Sequence, residues 1–154
     1  MGNIFYQDFR DFLQLLNDNQ VDYVLIGGYS VIFHGYSRTT GDMDIWVKRD
    51  TENYQKLRKT FFQFGMALFD MTEDNFLNHP IWDVFSFGIP PVCIDIMVKV
   101  KGLSFESCYQ EAEFFDDDGL KIRVISYNHL IRAKEESNRP KDIDDITNLE
   151  NKKN

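Results

Sequence analysis

The run Tyr23-Val24-Leu25-Ile26, closed by Gly27-Gly28, constrains the fold more than any other part of this 154-residue chain. Four consecutive apolar residues leave no polar face, as expected of a short strand buried on both sides. The glycine pair breaks the run, and Tyr29 to Tyr36 then reads as a short helix. Upstream, Phe5, Phe9, Phe12, Leu13 and Leu16 recur at helical spacing and predict an amphipathic helix that ends at Asn17-Asp18-Asn19. A buried strand between helices calls for a layered domain built on a central sheet.

The rest of the chain continues the pattern. Asp42 to Val47 alternates acid and apolar residues like a strand, after a loop over Tyr36 to Gly41. Thr51 to Phe64 reads as a helix with Thr51 as its N-cap and Gly65 as its stop. Residues 66–80 give no clear pattern. Trp82 to Phe87 and Val92 to Val100 read as strands joined at Pro90-Pro91, and Phe105 to Ala112 as a short helix. Asp116-Asp117-Asp118-Gly119 marks a hairpin turn. It lacks the alternating ligands of a calcium loop. Ser126 should cap a helix to about Ser137, and Pro140 should start another with Ile143, Ile146 and Leu149 on one face. The expectation is one α/β (α+β) domain over residues 1–150, with a central mixed β-sheet flanked by helices. C-terminal helices should close the site, and residues 151–154 should form a frayed tail.

Composition narrows the function. A net charge of -8 repels polyanions overall, so broad coating of nucleic acid is disfavoured, although a local basic pocket remains compatible. Lys99, Lys101, Lys121 and Arg123 are candidates for such a patch. The two cysteines, Cys93 and Cys108, show no ligand spacing and point to reduced thiols in a cytoplasmic protein. No secretory leader or membrane span is expected. Met1-Gly2 fails as a myristoylation signal because Tyr6 stands where Ser or Thr is needed.

The chemistry concentrates in three aspartates. On a strand, Asp42 and Asp44 would point to one face, roughly 6.5–7 Å apart, and repel each other. A divalent cation is one natural counter-charge, and a solvated edge strand is the bland alternative. Hard ions such as Mg²⁺ take carboxylate oxygens while keeping positions open for phosphates. Asp95 sits in the otherwise apolar Val92-Cys93-Ile94-Asp95-Ile96-Met97-Val98 and needs a partner. It could pair with a lysine or arginine, face outward, or serve as a third metal ligand. Gly27-Gly28-Tyr29-Ser30 could offer free backbone N–H groups to a triphosphate, or be only a tight turn. His34 reads best as a packed or hydrogen-bonded histidine, and His79 and His129 lack zinc-site spacing.

Taken together, Tyr23 to Ser30, His34-Gly35 and Arg38-Thr39-Thr40-Gly41-Asp42-Met43-Asp44-Ile45 resemble the DNA polymerase beta-type nucleotidyltransferase superfamily. Within it, the chain is similar to small stand-alone bacterial members. These are related to the abortive-infection (type IV toxin) and lincosamide-type nucleotidyltransferases, which also tend to end in a segment like Arg139-Pro140-Lys141-Asp142-Ile143-Asp144-Asp145-Ile146. The resemblance covers roughly residues 21–149.

It implies an enzyme that moves NMP from an NTP to an acceptor hydroxyl and releases pyrophosphate. Two Mg²⁺ ions (or Mn²⁺) would be held by Asp42, Asp44 and Asp95. Gly27, Gly28, Tyr29 and Ser30 would contact the nucleotide, Arg38 would neutralise phosphate charge, and Lys141 would approach the nucleotide or the acceptor. Arg38 could instead be a loop-surface arginine, and Lys141 a helix-start residue paired with Asp145 at i+4. ATP, GTP, CTP and UTP stay open as donor. A small molecule, tRNA or a protein stays open as acceptor, and so does oligomeric state. The alternative is a catalytically silent nucleotide- or protein-binding module of the same fold, of the toxin–antitoxin type.

Overall fold

The computed structural model describes residues 5–153. Its core is a mixed six-stranded sheet in the order β3-β4-β2-β1-β6-β5. The strands are β1 (Tyr23–Ile26), β2 (Met43–Val47), β3 (Val84–Ile89), β4 (Val92–Met97), β5 (Glu113–Asp117) and β6 (Leu120–Val124). Every residue of β1 is buried, as its unbroken apolar run requires. β1 runs antiparallel to β2 and parallel to β6, and β2 runs parallel to β4.

Helix α1 (Gln7–Asp18) buries Phe9, Phe12, Leu13 and Leu16. Phe5 precedes the helix but is buried as well, its ring 4.7 Å from that of Tyr29. Helix α3 (Thr51–Phe64) lies beside α1, with the Phe12 and Phe61 rings 5.5 Å apart. Phe61 also meets Phe87 of β3 at 4.6 Å, which seats α3 on one face of the sheet. The cap of α3 is Asp50 rather than Thr51: its carboxylate accepts the Asn53 N–H at 2.8 Å. An aspartate one position earlier supplies a charged acceptor that also suits the helix dipole. Gly65 ends the helix in the left-handed conformation, φ 83°.

The segment that gave no sequence pattern contains α4 (Glu73–Asn78), capped by Thr72. Helix α5 (Phe105–Gln110) lies under the other face, its Phe105 ring 5.4 Å from Trp46 of β2. The β5–β6 hairpin turns at Asp118 and Gly119, both at positive φ, as the acidic run predicted.

Helices α2 (Gly27–Phe33), α6 (Tyr127–Ser137) and α7 (Pro140–Lys153) carry the site. Ser126 caps α6 as expected. Two expectations for α7 fail. The helix runs on through Lys153 instead of fraying at 151. Its inward face is Asp142, Asp145 and Leu149, whereas Ile143 is 52% exposed. The physical reason is a set of cations beneath the helix that aspartates can pair and isoleucines cannot.

Candidate active site

The two glycines end β1 where β2 begins its carboxylate-bearing stretch, with Ile26 opposite Asp44. Gly27 has φ 71°, and a β-carbon there would overlap the Asp44 carboxylate. A β-carbon on Gly28 would overlap the Thr40 hydroxyl. The pair is therefore required by close approach of the turn to the acid-bearing segment, not by flexibility.

Asp44 faces Asp95 directly across the parallel β2–β4 pair. Opposed residues on neighbouring strands lie about 5 Å apart, so the two side chains share one face of the sheet. Asp42 immediately precedes β2. All three carboxylates line one cleft of about 380 Å³, together with Gly27, Gly28, Arg38, Thr40, Gly41, Lys134, Arg139 and Lys141. Burial and the neighbouring Asp95 and Asp42 raise the Asp44 carboxyl to about 7. Burial and Asp95 also raise Asp42, and Lys141 partly offsets this. Among the described residues, none of the three acids forms an ion pair with a lysine or arginine.

Among the described residues, three of the cleft's four cations are committed to other acids. Arg38 donates Nε and Nη2 to the two oxygens of Asp145 at 2.8 and 3.0 Å, and Nη1 to the Thr39 carbonyl at 2.9 Å. Lys134 lies 3.3 Å from Asp142 and 3.0 Å from Asp145. Arg139 grips Asp142 with Nε at 2.8 Å and Nη2 at 3.2 Å. Burial opposes charge on Asp142, but the Arg139 side-chain and backbone hydrogen bonds, Ser137 and Lys134 outweigh it and hold the carboxyl far below its ordinary range. This network ties α6 and α7 to the loop that leads into β2. Lys141 is exposed on the rim and does not pair with Asp145, contrary to the i+4 alternative.

Of the residues singled out from sequence, Gly27, Gly28, Arg38, Asp42, Asp44, Asp95 and Lys141 meet in the cleft. Tyr29 and Ser30 do not. Tyr29 is buried against Phe5 and Phe9, and the Ser30 hydroxyl donates to the Gly27 carbonyl at 2.6 Å. Both leave only backbone for a nucleotide. His34 is packed as expected, its Nε2 2.7 Å from the Ile125 carbonyl. Lys121 and Arg123 sit away from the cleft, with Arg123 over the Tyr109 and Phe114 rings. Lys134 and Arg139 were missed. The legible signal was Asp142 and Asp145 at i, i+3 with Leu149 at i+7, a helical face that buries acids and so demands cations.

Among the described residues, no three acidic, histidine or cysteine side chains close into a tight metal cage. The carboxylates instead line a cleft in which, among the described residues, no lysine or arginine forms an ion pair with them. That suits a hard ion such as Mg²⁺, which is bound by one or two carboxylates plus substrate phosphates rather than by an all-protein cage.

A glycine-pinched strand–helix turn, an acid pair across parallel strands and a two-helix cover together define a nucleotidyltransferase. Over residues 5–152 the chain matches the family described as nucleotidyltransferase of unknown function (DUF6036), and it belongs to that family. Its fold is similar to that of the lincosamide antibiotic adenylyltransferase LnuA, solved with lincomycin bound. That match has TM-score 0.60 and 18% identity, covering 97% of this chain and 98% of that one. It is also similar to an antigenic nucleotidyltransferase-like protein from Paracoccidioides brasiliensis, with TM-score 0.57 and 14% identity, covering 96% and 77%. No curated protein matches the chain in sequence. Among the described residues, no helix is long and apolar enough to cross a membrane.

Proposed function

We propose that this nucleotidyltransferase moves the NMP group of an NTP to an acceptor hydroxyl in a metal-dependent reaction. The observation that supports this reading is a set of three carboxylates on one cleft with no lysine or arginine partner among the described residues, beside cations already neutralised by other acids. Such acids repel one another until a cation or a proton joins them. Bound Mg²⁺ or Mn²⁺, held by Asp42, Asp44 and Asp95, would neutralise the triphosphate and the leaving pyrophosphate.

The chain's own groups then have distinct tasks. The backbone of Gly27-Gly28 lets the phosphates approach Asp44 closely. Lys141, exposed on the rim, places positive charge on the phosphate side of the cleft, while Arg38 and Lys134 are held by their aspartates. Asp95 lies on the far side of Asp44, where it can orient the acceptor hydroxyl and accept its proton. The acceptor oxygen forms a bond to the α-phosphorus, the bond from that phosphorus to the bridging oxygen breaks, and pyrophosphate leaves with the electron pair.

Thermal melting with each of the four NTPs, with and without Mg²⁺, tests this. Wild type should be stabilised by one preferred NTP only when metal is present, and Asp44→Ala should lose the shift. A wild-type protein indifferent to every combination would contradict metal-dependent transfer and favour a silent binding module.

A further inference from the structure

Three strands, not two, carry the row that passes through the acids. Ser86 of β3 is opposite Asp95 of β4, which is opposite Asp44 of β2. Phe85 and Phe87 are buried on the face toward α3, so Ser86 between them lies on the carboxylate face. Beyond Ser86 the sheet stops, because β3 is its edge. A cleft of about 200 Å³ spans this edge, lined by Phe69, Asp70, Trp82 and Ser86 and, from the α3 face, by Phe85 and Phe87, with the Trp82 ring edge-on to Phe85 at 6.3 Å.

Its aromatic groups are presented rather than packed away. Phe69 is 74% exposed, and Trp82 and Val84 are each 41% exposed. Trp82 is held in place: its ring stacks on His79 at 4.0 Å and 5°, and its backbone N–H donates to His79 Nδ1 at 2.8 Å. Among the described residues, the only charged one lining the cleft is Asp70. An exposed, oriented aromatic surface with one acid beside it suits a ligand with an apolar or aromatic body. Uncharged or cationic ligands fit, and the single acid works against phosphate-bearing ones.

We infer that this cleft is the acceptor subsite, and that the acceptor is a small alcohol with an apolar or aromatic body, neutral or cationic. The inference rests on the nucleotidyl-transfer reading. The body lies against Trp82 and Phe69, and the hydroxyl reaches across Ser86 to Asp95, one strand away. The nucleotide enters from the opposite side, over the glycine turn.

Amide NMR on the full chain tests this with two probes, phenylalaninol (cationic) and phenyllactate (anionic). Phenylalaninol should shift the signals of Phe69, Trp82, Val84 and Ser86 saturably and leave Gly27 and Gly28 unmoved. Phenyllactate should bind about fivefold or more weaker, given one acid near the ligand. Trp82→Ala should weaken phenylalaninol about fivefold while preserving the response to Mn²⁺ and a non-hydrolysable NTP. With that metal and nucleotide bound, the probe's hydroxymethyl protons should relax faster than its ring protons.

Lack of a saturable shift in the cleft overturns the inference. So does equal affinity for phenyllactate, as a cleft made for a nucleic-acid end would show, or a ring that relaxes as fast as the hydroxymethyl group. If Mn²⁺ and the nucleotide fail to broaden Gly27 and Gly28, the transfer reading itself falls. That result is independent of whether phenylalaninol shifts the cleft.

Discussion

Asp44 and Asp142 line or back the same cleft, yet their carboxyls move in opposite directions. Asp44 is raised to about 7 by burial and by its acidic neighbours Asp95 and Asp42. Asp142, although buried, is driven down by Arg139 and Lys134. One group of acids is deprived of cations and the other is saturated with them. Under the proposed function, the difference separates acids that work from acids that scaffold. An acid whose partner is missing is open to a metal and substrate, whereas an acid already paired holds two helices against a loop.

The largest expected effect attacks the first group. Asp44→Ala or Asp95→Ala should lower the transfer rate by about a thousandfold or more, since each removes charge stabilisation at the reacting phosphate. Circular dichroism should stay native. Unfolding of these variants would instead assign the acids to structure and erase the contrast.

Next comes the second group. Asp145→Ala leaves Arg38 without its carboxylate partner and Lys134 with Asp142 alone, and breaking such a buried pair costs about 3–5 kcal/mol. Chemical denaturation should show a loss of that order. Asp145→Asn, which keeps the shape and some hydrogen bonds, should lose less. A loss near zero would mean that the network is surface decoration.

The pH dependence sharpens the comparison. A carboxyl raised in the fold contributes stability below its unfolded value, and that contribution is lost as pH rises through about 7. Metal-free Asp44→Asn should therefore melt higher than wild type at pH 8, by several degrees, with the gap closing toward pH 5. Mg²⁺ with NTP should reverse the order at pH 8, because only wild type keeps the full ligand set. Asp142 has the opposite sign: its contribution is present above the ordinary carboxylate range and disappears only in strong acid.

The smallest effect belongs to Lys141. It is exposed and pairs with neither acid group, so Lys141→Ala should change stability by less than about 0.5 kcal/mol. Titration calorimetry should still show nucleotide binding weakened several-fold. Equal binding by the variant would remove Lys141 from the site.

Much of the site was legible because its signals are local. Asp95 stands out as the one acid among apolar neighbours, and Asp42-Met43-Asp44 alternates as a strand should. Gly27-Gly28 ends a run too apolar to continue into solvent. Those positions needed only side-chain period and chain order. Tyr29 and Ser30 were read as nucleotide contacts from the same proximity in sequence, but a helix turns successive side chains by about 100°, and these two point into the core.

The sequence by itself determined that β1 is buried, that a glycine turn follows it, and that Asp44 stands on the next strand, because strand period and backbone sterics act within a few residues. Asp42 lies just before that strand rather than on it. Tertiary structure decided which face of α7 turns inward. Ile143, Ile146 and Leu149 make as good a helical stripe as Asp142, Asp145 and Leu149 when read alone. The choice fell to Arg38 and Lys134, about a hundred residues and one helix away respectively, since a buried cation without an acid costs more than an exposed isoleucine.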